Sequence, residues 1–173
     1  EEIGYISDPS QIKILPNVSL AIKEANKRGI LVIVITNQPV VARGECTFHK
    51  LKLIHNHIET LLGADGAYLD GIYFCPHHPD KGFKDEVKSL KVVCKCRKPG
   101  TKLLSIATKE FNIDLNKSWM IGDSTTDIQT AKNIGIRSIL LETGYSGSDK
   151  KFDALPDFKS IDLLNAIKHI IDN

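Results

Sequence analysis

The run Ile30-Leu31-Val32-Ile33-Val34-Ile35 is the tightest constraint on how this chain folds. A strand with no polar face must be covered on both sides, which happens in a parallel sheet between helical layers. The rest of the chain supplies those layers. Asn17, after Pro16, can cap a helix whose apolar face is Val18, Ala21, Ile22 and Ala25, ended by Gly29. A second helix is predicted over 47–62, with Leu51, Ile54, Ile58, Leu61 and Leu62 on one side. Gly71-Ile72-Tyr73-Phe74, Trp119-Met120-Ile121 and Ser138-Ile139-Leu140-Leu141 read as short strands, and 101–111, 125–134 and 161–171 as helices. The stretch 142–156, with Gly144, Ser146, Gly147 and Ser148, reads as a loop. Strands alternating with helices predict an α/β fold with a doubly wound, Rossmann-like parallel sheet, where ligands bind beyond the strands' carboxyl ends. With 173 residues, no internal repeat and no low-complexity linker, a single domain over 1–173 is expected.

Charge excludes some partners. A net charge of +2 argues against nucleic acid and against an anionic membrane surface. No apolar run approaches the ~20 residues that span a bilayer, and the opening Glu1-Glu2-Ile3-Gly4 is not a signal segment. A cytoplasmic monomer acting on a small molecule is the expectation.

Three groups of polar residues stand just after predicted strands or before a predicted helix. Thr36-Asn37-Gln38 follows the first strand, Arg97-Lys98-Pro99 precedes the helix at 101, and Gly122-Asp123-Ser124-Thr125-Thr126-Asp127 follows Ile121. Singly, each has an ordinary reading: a strand-end turn, a solvated lysine, a helix cap with a first-turn acid. Converging on one crevice, they suit a phosphate and a hard divalent cation. A hydroxyl and amides would hold phosphate oxygens, Lys98 would balance their charge, and Asp123 would offer magnesium an oxygen.

Of the four cysteines, Cys46 stands apart, while Cys75, Cys94 and Cys96 fall in one stretch with His77 and His78. Cys75-x-His77 and Cys94-x-Cys96 offer three thiolates and an imidazole, a closed set of the kind structural zinc takes, with His78 as the rival imidazole. The segment 79–93 between them reads as exposed. His49, His55 and His57 on the 47–62 helix share no face and read as surface residues.

In order, a strand with Thr-Asn, a lysine, and a strand with Gly-Asp-x-x-x-Asp resemble motifs two to four of the haloacid-dehalogenase-like (HAD) superfamily. The strings Val34-Ile35-Thr36-Asn37-Gln38, Ala42-Arg43-Gly44, Cys75-Pro76-His77-His78-Pro79 and Cys94-Lys95-Cys96-Arg97-Lys98-Pro99 are similar to the D-glycero-D-manno-heptose 1,7-bisphosphate phosphatase family, whose nearest relatives are histidinol-phosphate phosphatases. The match runs from Gly4-Tyr5 to about Gly147. The resemblance implies a HAD-type fold without a large cap domain and with a zinc loop over 75–96. It implies Thr36 and Asn37, with Gln38 beside them, at the phosphoryl group and Lys98 between nucleophile and phosphate. It implies Asp123 on magnesium, and Asp127 on Lys98 or a metal-bound water. Arg97, helped by Arg43, would reach the substrate's distal groups. The zinc ligands would be Cys75, His77, Cys94 and Cys96.

Two departures matter. The family attacks phosphorus with the first aspartate of a strand-borne Asp-x-Asp, forming an aspartyl-phosphate, and no Asp-x-Asp precedes Thr36 here. The expectation is that this pair lies upstream of Glu1 and that residues 1–173 alone are inactive; a zinc-stabilised, non-catalytic relative and a domain detached from a larger fusion are the other readings. Pro39-Val40-Val41 stands where the family usually shows Ser-Gly-Ile, which stiffens the loop. The expected reaction is hydrolysis of a phosphorylated sugar, heptose 1,7-bisphosphate first and histidinol phosphate second.

Overall fold

A computed structural model describes residues 6–173; Gly4-Tyr5, where the resemblance begins, lies outside the described residues. Helix α1 (Val18–Lys27) leads to strand β1 (Ile33–Asn37), a one-turn helix α2 (Pro39–Ala42), the long α3 (Phe48–Ala64) and β2 (Gly71–Cys75). After the cysteine-rich stretch come α4 (Lys102–Phe111), β3 (Trp119–Gly122), α5 (Thr125–Ile134), β4 (Arg137–Leu141), β5 (Phe158–Ser160) and α6 (Leu163–Asp172). The α2 turn and β5 were not predicted, since one turn and three residues are too short to show a period. Pro39 starts α2 with φ already suited to a helix, and all four α2 residues are buried.

All strands pair in parallel, but they form two ladders rather than one continuous sheet. β1 pairs β2 with Ile33 opposite Gly71 and Asn37 opposite Cys75. β3 pairs β4 with Trp119 opposite Arg137, and β4 pairs β5 with Ile139 opposite Phe158. Among the described residues no ladder joins β1 to β3. Val32, just ahead of β1, and Ile121 of β3 pack against one cluster with Ala21, Ala25 and Ile167. Burial tracks the pairing. β4, hydrogen-bonded on both sides, buries Ser138, Ile139 and Leu140, whereas every residue of β1, bonded on one side, is only half-buried.

Helices cover both faces. Met120 packs with Ala131 of α5 and Leu104 of α4, while the next residue, Ile121, points the other way onto α1 and α6. α3 lies on the α1 side, where Leu62 and Ile58 meet Ile22 and Val32. Its N-terminal half closes a second cluster of Leu51 and Ile54 with Val40, Val41 and Cys46.

The structure corrects several boundaries. The first strand starts at Ile33, because Ile30 N–H closes the end of α1 on the Ala25 carbonyl and Val32 N–H is taken by Asp70 Oδ2 at 2.7 Å. Asn17 does not cap α1; it sits at φ 64° and its amide donates to Asp162 Oδ2 at 3.3 Å. The segment 79–93 is not wholly exposed, since Leu90 packs on the Val40 cluster and Val87 N–H bonds the Ala42 carbonyl. His55 is not a surface residue: its Nε2 is buried and its ring stands edge-on to Phe74 at 5.4 Å.

Ile139 has no exposed surface at the centre of the β3-β4-β5 ladder. Ile139→Ala is expected to cost about 2–5 kcal/mol through lost burial and a residual cavity, read from the shift in the urea midpoint at an unchanged slope.

Candidate active site

Lys98 joins the two ladders. Its main chain is gripped by the Asn37 carboxamide at the end of β1: Lys98 N–H donates to Oδ1 at 2.9 Å, and Asn37 Nδ2 donates to the Lys98 carbonyl at 3.3 Å. Its ammonium donates to Asp127 Oδ1 at 2.6 Å, with the two side chains 15% and 7% exposed. Asp127 is fixed in turn. Its Oδ2 accepts from the Ser124 N–H at 3.2 Å and the Ser124 hydroxyl at 2.7 Å, closing a capping box at the start of α5. The N-cap is thus Ser124, and neither Asp123 nor Asp127 is spent as the cap. Gly122 makes the arrangement possible, since a β-carbon there would run into the Asp127 side chain.

Asp123 lies one residue beyond β3. Its Oδ2 accepts the Tyr145 N–H at 2.8 Å and its carbonyl accepts the Gly147 N–H at 2.8 Å, both from the loop after β4. No donor falls on Oδ1 among the described residues. One carboxylate with a free oxygen, just ahead of a helix start, suits magnesium, which keeps waters and takes its remaining ligands from a phosphate.

Thr36 and Asn37 occupy opposite faces of β1. The Asn37 amide, expected at the phosphate, is committed to the Lys98 main chain. Thr36 Oγ1 accepts weakly from Gln38 Nε2 at 3.4 Å. Both Thr36 and Gln38 line a largely apolar cavity of about 170 Å³ with Val34, Ile54, His55 and Ile72.

Cys75, at the end of β2, begins a cluster of candidate metal ligands. Its Sγ lies 3.5 Å from Cys94 Sγ, 3.1 Å from Cys96 Sγ and 3.6 Å from His77 Nδ1; His77 Nδ1 and Cys96 Sγ are 3.2 Å apart. All four donor atoms fall within 4.8 Å of one another, and none of the cysteines is in a disulfide. Zn–S bonds of about 2.3 Å in a tetrahedron put ligand atoms roughly 3.7 Å apart, so the cluster is near the required size. Burial pushes the Cys75 thiol well above its ordinary pKa. A bare thiolate there would be costly, and a bound dication removes that cost. His78, the rival imidazole, turns away: its Nε2 is 3.3 Å from Arg43 Nη2, and its ring stands edge-on to Phe83.

The two arginines lie along this loop. Arg97 Nη1 donates to the His77 carbonyl at 3.3 Å, and the Arg43 guanidinium sits 4.6 Å over the Phe83 ring. Lys91, its side chain 3% exposed, sits 4.6 Å from the centre of the same ring. Asp8, the one aspartate ahead of Thr36 in the sequence, is occupied elsewhere. It caps the 3₁₀ turn Pro9–Gln11 and pairs with Lys50 at 2.9 Å, which holds its carboxyl far below the usual range. Sequence reasoning missed the Tyr145 amide and Asp149, both in the loop after β4. Only the glycine spacing there signalled a turn, and backbone donors leave no trace in residue type.

The geometry has counterparts. A HAD-hydrolase-like family model matches residues 95–166. The D-glycero-beta-D-manno-heptose-1,7-bisphosphate 7-phosphatase of Yersinia pestis is 36% identical over 143 residues, covering 82% of this chain and 73% of its own length. The D-glycero-D-manno-heptose-1,7-bisphosphate 7-phosphatase of Thermosynechococcus vestitus is 31% identical over 98% of this chain and 89% of its own length. The crystal structure of D,D-heptose 1,7-bisphosphate phosphatase from B. bronchiseptica, complexed with magnesium and phosphate, superposes with a TM-score of 0.82 at 27% identity, covering 97% of this chain and 89% of that one.

Gly122→Ala is expected to break the Asp127 capping box and its pairing with Lys98. A loss of about 1–3 kcal/mol follows from displacing a buried, hydrogen-bonded charge, to be read as a lowered thermal midpoint; an unchanged midpoint would show that Asp127 tolerates the methyl.

Proposed function

The chain belongs to the D-glycero-D-manno-heptose-1,7-bisphosphate 7-phosphatase family of HAD-like hydrolases, and on that premise we propose that residues 1–173 carry the lysine, magnesium and zinc sites of a phosphomonoesterase acting on a heptose 1,7-bisphosphate. The observation that carries the reading is the Lys98–Asp127 pair at 2.6 Å, its lysine main chain held by Asn37. A fixed cation, together with the carboxylate oxygen that Asp123 leaves free four residues before Asp127, is the combination that a transferring phosphoryl group requires.

The roles follow from the chemistry of each group. Lys98 neutralises charge on the phosphoryl oxygens, and Asp127 keeps its ammonium from turning to solvent. Asn37 fixes the Lys98 main chain, while the Thr36 hydroxyl and Gln38 amide are the remaining polar groups at the end of β1 for phosphate oxygens. Asp123 Oδ1 would hold magnesium, which would supply positive charge to the phosphate. Arg97 and Arg43 approach the distal end of the substrate. Cys75, His77, Cys94 and Cys96 hold zinc, which has no part in the chemistry and closes the 75–96 loop so that Arg97-Lys98 sits at the site.

The attacking aspartate is not among these residues: the sequence contains no Asp-x-Asp, and Asp8 is committed to Lys50. Among the described residues β1 bonds only β2 and β3 bonds only β4, so each has an open edge at which one further strand can pair. We assign the nucleophile to such a strand, so residues 1–173 by themselves do not turn over.

Phosphate release from heptose 1,7-bisphosphate tests this. Residues 1–173 preceded by an apolar strand ending in Asp-x-Asp should be magnesium-dependent and at least about 1,000-fold faster than residues 1–173 alone. Comparable turnover from residues 1–173 alone would discard the assignment. Cys96→Ser should lower bound zinc, measured by elemental analysis, and reduce thermal stability. A parent protein that purifies without zinc would remove the metal centre.

A further inference from the structure

Residues 142–152 leave β4 and lie across the start of α5, with positive φ at Gly144, Ser146, Gly147 and Lys150. One end of this loop rests on Asp123, through the Tyr145 and Gly147 amides already described. A β-carbon on Gly144 would collide with Asp123 Oδ2, so the loop backbone touches the carboxylate directly. The other end is knotted to Thr125. Asp149 Oδ1 accepts the Thr125 N–H at 2.7 Å, and Oδ2 accepts the Thr125 hydroxyl at 2.8 Å and the Thr126 hydroxyl at 3.4 Å. Thr125 Oγ1 returns the contact by accepting the Lys151 and Phe152 amides at 3.1 and 3.2 Å. Burial disfavours the Asp149 charge, but these donors outweigh it and hold the carboxyl below its ordinary pKa. An ionised acceptor in the first turn of α5 is also favoured by the helix dipole.

We propose that Asp149 is a positioning residue for magnesium: by tying the loop to Thr125 it keeps the Tyr145 amide on Asp123 Oδ2 and leaves Oδ1 as the coordinating atom. This rests on the reading of Asp123 as the magnesium ligand. A carboxylate with one oxygen pinned enters the metal shell with its rotamer already set. One that must be ordered on binding loses affinity, and partners that orient a ligating group typically carry 10- to 100-fold, about one to two decades, in metal affinity. The loop needs an external tie, because Ser146 and Lys150, which are not glycines, sit at positive φ, a conformation its sequence does not hold alone.

The test uses purified residues 1–173 with Mn(II) as a magnesium probe, free Mn(II) being followed by electron paramagnetic resonance, together with amide hydrogen exchange. Asp149→Ala should speed exchange at Tyr145 and Gly147 and weaken Mn(II) binding about 10-fold. Asp149→Asn retains an oxygen for the Thr125 N–H, should recover part of that affinity, and serves where the alanine variant fails to fold. Asp123→Ala is run beside them. If Asp123→Ala abolishes binding while both Asp149 variants bind as the parent does, the positioning role is overturned and the magnesium assignment stands. If Asp123→Ala binds as the parent does, or the parent binds no Mn(II) at millimolar concentration, the magnesium assignment fails and the proposal with it.

Discussion

A buried lysine–aspartate pair holds this site together. Lys98 comes from the cysteine-rich loop and Asp127 from the first turn of α5, and their contact at 2.6 Å, with the Asn37 grip on the Lys98 main chain, ties the end of β1 to the helix that follows β3. Withdrawing two such charges from water is costly, and the pair persists because neither oxygen of Asp127 lacks a donor and the Lys98 main chain is held by Asn37. Removing one member would strand the other, a loss of about 3–5 kcal/mol in comparable buried pairs. The same contact that fixes the Lys98 ammonium therefore also ties the end of β1 to α5 across the unjoined ladders.

The candidate metal centre and the 79–91 arm flank that pair on one side. Four donor atoms within 4.8 Å of one another gather the chain between Cys75, at the end of β2, and Cys96, two residues before Lys98. The arm is anchored a second time, independently of metal. Phe83 lies between Arg43 and Lys91, and Asp85 packs so closely on Gly44 that no β-carbon fits there. The one-turn α2 helix, which carries the chain from the Thr36 turn to Arg43, is thus pressed between α3 and the arm. On the other side of the pair, the loop after β4 does for Asp123 what Asn37 does for Lys98: backbone and amide groups spend their hydrogen bonds on orientation, and the charged atom remains available.

Residue type and order determined much of this protein. Apolar runs against amphipathic spacing gave the parallel α/β layout and nearly every helix, because burial on one face or two leaves a period in the chain. The grouping of the candidate site residues was also legible, since cysteines, a histidine, a lysine and paired aspartates at strand ends can serve few purposes together. Only the tertiary structure decided how those groups are used. It spent the Asn37 amide on Lys98, turned His78 away from the thiols, left β1 and β3 unjoined, and assigned to Tyr145 and Asp149 the holding of Asp123. These depend on directions and distances between segments far apart in sequence, and on backbone amides that every residue carries alike, so no pattern along the chain could encode them.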